Sequence, residues 1–136
     1  MDAKTRDFVR RRAGHCCEYC HFPERALPYL VFHVDHIVAK VHVDEISDDP
    51  QSLAWACSAC NYHKGPNLVS IDPDSKQQAN LFNPRRDIWS DHFTINDGNI
   101  IGLTAMGRVT ARLLNMNAPR TVRLRRELIE QNIFNS

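Results

Sequence analysis

Cys57-Ser58-Ala59-Cys60-Asn61-Tyr62-His63-Lys64-Gly65 is the stretch on which the reading of this chain turns. Cys57, Cys60, Asn61 and Lys64 are spaced i, i+3, i+4, i+7, so a short helix from Cys57 to Lys64 would present all four on one face. Gly65-Pro66 ends such a helix. Upstream lies a second pair, Cys17-Glu18-Tyr19-Cys20, and between the pairs Val34-Asp35-His36-Ile37. Two kinds of metal chemistry are thus written into about fifty residues. Thiolates suit zinc, whereas Asp, His and Asn suit a hydrolytic site around a hard cation.

Zinc takes four tetrahedral N or S ligands, and a CxxC turn supplies two thiolates to one ion. Cys17, Cys20, Cys57 and Cys60 complete a structural zinc site that has no open position for substrate. A redox dithiol would normally occur once, after a strand of a βαβ pattern that this sequence lacks. Cys16 gives a three-residue spacing to Cys20 and is left as a bystander. The 36 residues between the pairs exceed a ribbon loop and imply folded structure within.

Phosphodiester hydrolysis needs an activated water and charge relief on the leaving oxygen. A neutral His supplies the first and a divalent ion on oxygen ligands supplies the second. Asp35 and the side-chain carbonyl of Asn61 are candidate ligands, and His36 is the candidate base. Adjacent strand residues face opposite ways, so the strand must twist, bulge or end at Asp35-His36. Lys64 could meet a phosphate or pair with an acidic neighbour. His33 is either a partner of the site or an exposed strand residue.

The chain has 136 residues and a formal net charge of +1, which excludes strong bulk attraction to polyanions. Its charges are nonetheless segregated. Residues 1–12 carry five basic and two acidic side chains, residues 104–136 carry six Arg and two Glu, and residues 41–50 hold Asp44, Glu45, Asp48 and Asp49 without a basic residue. Basic ends are compatible with phosphate binding. No apolar run reaches membrane-spanning length, and Met1-Asp-Ala-Lys-Thr-Arg6 has no apolar signal core. The expected location is the cytoplasm, where thiols stay reduced; neither a membrane nor a small-molecule cofactor is expected.

A basic helix is predicted over 3–12. A strand is predicted over 29–35 from its period-two pattern, with 37–43 as its return partner, and a loop over 44–52. Residues 66–91 read as a linker punctuated by Pro73 and Pro84. Asn96-Asp97-Gly98 marks a hairpin, Thr104 caps a helix from Ala105 to Met116, and Pro119 opens a last helix to about Ile133. Leu113, Leu114, Leu124, Leu128 and Ile129 are its core candidates.

Taken in order, the CxxC, the Asp-His-Ile and the CxxC-Asn-x-x-Lys-Gly resemble the HNH endonuclease family in its zinc-containing form. The resemblance covers residues 13–66 and implies an α+β protein built on a ββα-metal core. Residues 1–70 would form that core and 71–136 a hairpin-plus-two-helix extension, which itself resembles a tail on a group of bacterial HNH proteins. It further implies His36 as general base, Asp35 and Asn61 as ligands of one Mg²⁺ or Mn²⁺, and nucleic acid, most readily DNA, as substrate. The family's middle Asn is Ser52 here, nine residues before Asn61. Serine has a shorter reach for bracing the hairpin loop. That departure keeps alive an alternative, a weakly active or inactive zinc-stabilised nucleic-acid-binding module. Arg85, Arg86, Arg108, Arg112, Arg120, Arg123 and Arg126, with Lys64, are candidate phosphate contacts.

Overall fold

The computed structural model describes residues 1–26 and 31–134. Part of the predicted strand over 29–35 therefore lies outside the described residues. Its remainder is β1 (Phe32–His36), which runs in regular register through both Asp35 and His36, so the two side chains leave opposite faces of the strand. The return partner is β2 (Leu53–Cys57), antiparallel, with Phe32 opposite Cys57, Asp35 opposite Ala54 and His36 opposite Leu53. This corrects the expectation for 37–43, which holds only a short 3₁₀ turn at Lys40–His42. Val38, Val41 and Val43 gave that segment its strand-like pattern, but all three are exposed, so no burial rewards extension there.

All five residues of β2 are buried. A continuous Leu-Ala-Trp-Ala-Cys run fits a strand covered on both faces. Packed against it are α1 (Ala3–Arg12) and α2 (Ser58–Lys64). Asp2 caps α1 by accepting from the Thr5 amide at 2.7 Å. Three of the five basic side chains of α1 make contacts within the fold, while Lys4 and Arg11 are exposed. Arg6 lies over the Trp55 ring, Arg10 grips Glu24, and Arg12 donates to the carbonyls of Pro50 and Leu53. Arg10 and Arg12 thus brace the fold, while the exposed Lys4, Arg6 and Arg11 leave this end compatible with phosphate contact.

Downstream, the expected linker holds structure of its own. A hairpin of β3 (Val69–Ile71) and β4 (Gln78–Asn80) is followed by the short helix α3 (Trp89–His92). Asp72 closes the β3–β4 turn by accepting from Asp74 and Ser75, and Arg108 clamps both its oxygens at 2.8 and 2.9 Å. The predicted hairpin is β5 (Phe93–Asn96) with β6 (Asn99–Gly102). Both loop residues, Asp97 and Gly98, have positive φ, as a type I′ turn demands. Thr104 caps α4 (Ala105–Leu113), which stops short of Met116, and Pro119 opens α5 (Pro119–Glu130). Gly102 and Gly107 let β6, α4 and the His92 carbonyl approach to backbone contact.

One hydrophobic cluster runs from Val9 through Trp55 to Phe134. Of the predicted core residues, Leu114 and Leu128 are buried, Leu113 and Leu124 pack at the margin of the cluster, and Ile129 is exposed. Arg125 is fully buried, donating to the carbonyls of Gly98 and Met116 and lying over the Phe22 ring. The architecture is α+β, with a ββα unit (β1, β2, α2) at its centre.

Candidate active site and metal centre

The Cys17–Cys20 turn is formed by backbone bonds from His21 to the Cys17 carbonyl and from Cys17 to the Phe22 carbonyl, both 2.9 Å. Cys57 caps α2, its Sγ accepting from the Cys60 amide. These two local structures bring the four Sγ atoms within 4.8 Å of one another, all buried. Cys20 and Cys57 Sγ are 3.7 Å apart. Zinc–sulfur bonds of about 2.3 Å arranged tetrahedrally give sulfur–sulfur edges of about 3.8 Å, so the cluster fits a zinc ion. Thiols this close cannot all ionise without a cation. The Cys57 thiol is pulled strongly down by hydrogen bonds from Cys17, Cys20 and Cys60, while Cys20 and Cys60 are pushed up, chiefly through the same bonds. Cys16 stands apart, bonded to the Gly14 carbonyl.

Asp35 of β1 is bonded to both the Cys17–Cys20 turn and α2. Its carboxylate accepts from the Tyr19 hydroxyl at 2.6 Å and pairs with Lys64 Nζ at 3.1 Å. Lys64 also donates to the Ile37 carbonyl at 3.0 Å. Asp35 and Lys64 are 7% and 2% exposed, so this ion pair is buried. Lys64 therefore takes the second of its two readings, pairing with an acid, and is withdrawn from phosphate contact. Tyr19 is 1% exposed, and burial followed by the Asp35 charge pushes its phenol well up, keeping it a donor. Asn61 sits one turn before Lys64 on the same side of α2, half-buried. Among the described residues its side-chain amide has no hydrogen-bond partner, which leaves its carbonyl oxygen available. A carboxylate and an amide carbonyl are the oxygen donors that Mg²⁺ or Mn²⁺ takes.

His36 closes β1, and its Nε2 lies 3.0 Å from Asp48 Oδ1. Asp48 belongs to the acidic loop and carried no sequence signal beyond its charge. Ser52 donates to the carbonyls of Asp49 at 2.7 Å and Ser47 at 3.3 Å, and its own carbonyl accepts from Ile37. Serine thus braces the loop that carries Asp48. His33 is exposed.

Residues 17–67 match the family described as HNH endonuclease. The ββα unit is an HNH domain. The match spans a little over a third of the chain and takes in the four cysteines, Asp35, His36, Ser52 and Asn61. Neither the curated proteins nor the solved structures contain a match to the chain.

Around the HNH domain the candidate arginines divide. Arg85 pairs with Glu18, and burial pushes its guanidinium down to about 10. Arg108 is committed to Asp72 and Asp74, and Arg126 to Asp97. Among the described residues Arg86 makes only an exposed contact with its neighbour Asp87. Arg112, Arg120 and Arg123 are exposed. The exposed set remains available for phosphates, whereas Arg85 and Arg108 hold the fold. Partners as remote in sequence as Glu18 and Arg85 leave no local pattern to read.

Proposed function

We propose that this protein is a metal-dependent HNH endonuclease that hydrolyses phosphodiester bonds in nucleic acid, with DNA as the expected substrate. What supports this reading best is the placement of Asp35, His36 and Asn61 on the hairpin and helix of an HNH domain. His36 takes the proton from the attacking water. Asp48 orients its ring through Nε2 and stabilises the imidazolium that forms. Asp35 and Asn61 would hold one Mg²⁺ or Mn²⁺, which when bound relieves charge on the 3′ leaving oxygen. The ends produced would be 5′-phosphate and 3′-hydroxyl. Tyr19 and Lys64 hold the Asp35 carboxylate in place. Arg86, Arg112 and Arg123 supply exposed positive charge for the backbone of the nucleic acid.

Zinc on the four cysteines ties the turn at Cys17–Cys20 to the start of α2 and takes no part in the chemistry. Residues 71–136 act as an extension packed on this core, and we place the protein in the cytoplasm, where its thiols stay reduced.

One observation favours a second reading, a nucleic-acid-binding module with little activity. The Asp35 carboxylate already has a cation, Lys64, as its partner. Analysis of products from an end-labelled duplex separates the two. The nuclease reading expects Mg²⁺- or Mn²⁺-dependent fragments whose 5′ ends are phosphorylated. Retained DNA binding with an uncut duplex in both metals would favour the module.

A further inference from the structure

Tyr19 lies inside the first zinc turn, between Cys17 and Cys20, yet its hydroxyl reaches the carboxylate of Asp35 at 2.6 Å. The turn that carries it is anchored at several points. Zinc would fix both flanking cysteines, Glu18 accepts from the Trp55 amide of β2 at 2.7 Å, and the Tyr19 carbonyl accepts from Trp89 Nε1 at 2.8 Å. The ring is 1% exposed, so the hydroxyl has no freedom to leave its acceptor for bulk water.

We propose that Tyr19 is a positioning residue that couples the structural zinc site to the catalytic-ion site by fixing the Asp35 carboxylate. The proposal rests on the reading of Asp35 as a ligand of that ion. The terminal torsion of an aspartate is broad, so a carboxylate held at one point can swing. Lys64 approaches both oxygens, at 3.1 and 3.3 Å, and a cation so placed tolerates rotation of the group. Tyr19 bonds to Oδ2 alone and sets the plane. A carboxylate has about four lone-pair directions; the three contacts fill both on Oδ2 and one on Oδ1, leaving one on Oδ1 for a cation. Mg²⁺ demands near-ideal geometry from its ligands and would be sensitive to the loss of that constraint. Partners that orient metal ligands are typically worth about 10–100-fold in metal affinity.

The test compares full-length, zinc-loaded wild type with Tyr19→Phe and Trp89→Phe. Mn²⁺ binding is followed by electron paramagnetic resonance, and the metal dependence of DNA nicking is measured beside it. Tyr19→Phe should keep its zinc and weaken Mn²⁺ binding by about 10–100-fold. The metal concentration for half-maximal nicking should rise with it, while the rate at saturating metal stays within a few-fold. Trp89→Phe disturbs the same turn but spares the hydroxyl, and should bind Mn²⁺ like wild type. Equal Mn²⁺ affinity in wild type and Tyr19→Phe overturns the proposal, as does equal weakening in both variants. Wild type that binds Mn²⁺ yet cuts nothing defeats the nuclease reading alone, and the affinity ratio still decides the role of Tyr19. Wild type that binds no Mn²⁺ overturns both. If Tyr19→Phe fails to load zinc, the wild-type NMR spectrum decides. Substoichiometric Mn²⁺ must broaden the Tyr19 ring signals, and sharp signals overturn the proposal.

Discussion

Lys64→Met offers a quantitative test of the buried ion pair. The substitution keeps an unbranched stem of similar length and removes the ammonium. Asp35, 7% exposed, is then left with the Tyr19 hydroxyl as its remaining partner, and the Ile37 carbonyl loses its donor. Breaking a buried pair from one side costs about 3–5 kcal/mol because an uncompensated charge stays inside. The bond to Tyr19 and the added apolar burial of Met favour the lower end, about 3 kcal/mol. Domains of this size have about 5–15 kcal/mol in total, so the variant should still fold. With a urea slope of about 2 kcal/mol/M, the midpoint should fall by about 1.5 M. Adding Asp35→Asn removes the stranded charge, and the freed Ile37 carbonyl can accept from the new amide. The double variant should recover to within about 1–2 kcal/mol of wild type, and since Asp35→Asn alone strands the Lys64 ammonium at a similar cost of about 3 kcal/mol, the coupling should be about 4–5 kcal/mol. Urea unfolding followed by Trp55 and Trp89 fluorescence, with zinc in slight excess, measures all four corners. A Lys64→Met cost below about 1 kcal/mol, or an Asp35→Asn effect that adds to it, would refute the reasoning.

Gly107→Ala sets helix propensity, which favours Ala by about 1 kcal/mol, against a Cβ driven into the His92 carbonyl. Overpacking against rigid backbone costs about 1–3 kcal/mol or more, so the melting temperature should fall by roughly 3–8 °C, and a rise would show that α4 and β6 can part freely. Zinc uptake at pH 7 should release protons from at least Cys20 and Cys60, whose thiols are held up without the ion; calorimetry in buffers of different ionisation enthalpy reads the number, and a value of zero contradicts the site. Asp72 is held below its ordinary value of 3.8, first by the hydrogen bonds from Arg108. Its contribution is therefore present above about pH 4 and is lost as pH falls further. Arg108→Met should flatten that part of the acid limb in urea midpoints measured against pH, and an unchanged limb would assign the acid loss to other groups.

The local signals in the sequence carried a good deal of this fold. CxxC spacing is a geometric constraint within a single turn, and both turns form. Asn96-Asp97-Gly98 and Thr104 work through backbone geometry within three residues, and each marks its element. Leu53–Cys57 was harder to read because a short, wholly apolar run is the same pattern in a buried strand and a buried helix. Segment 37–43 misled in the opposite sense, since β-branched residues favour a strand only where a sheet covers them. The β3–β4 hairpin is set by Asp72, whose clamp, Arg108, lies 36 residues away. For the site, residue identity pointed to Asp35, His36, Ser52 and Asn61 through the family pattern. Their partners came only from tertiary packing. Tyr19 carried no signal of its own, Asp48 was one charge among several, and the acid that Lys64 would pair with could not be named.

Nicking of supercoiled plasmid by zinc-loaded protein tests the central claim most directly, with EDTA briefly present, with Mg²⁺ and with Mn²⁺, beside His36→Ala at equal zinc content. The account predicts metal-dependent nicking by wild type and a rate about 10²–10⁴-fold lower in the variant, the range for loss of a general base. Equal nicking by both proteins would contradict the role given to His36, and no nicking by wild type in either metal would contradict the endonuclease itself.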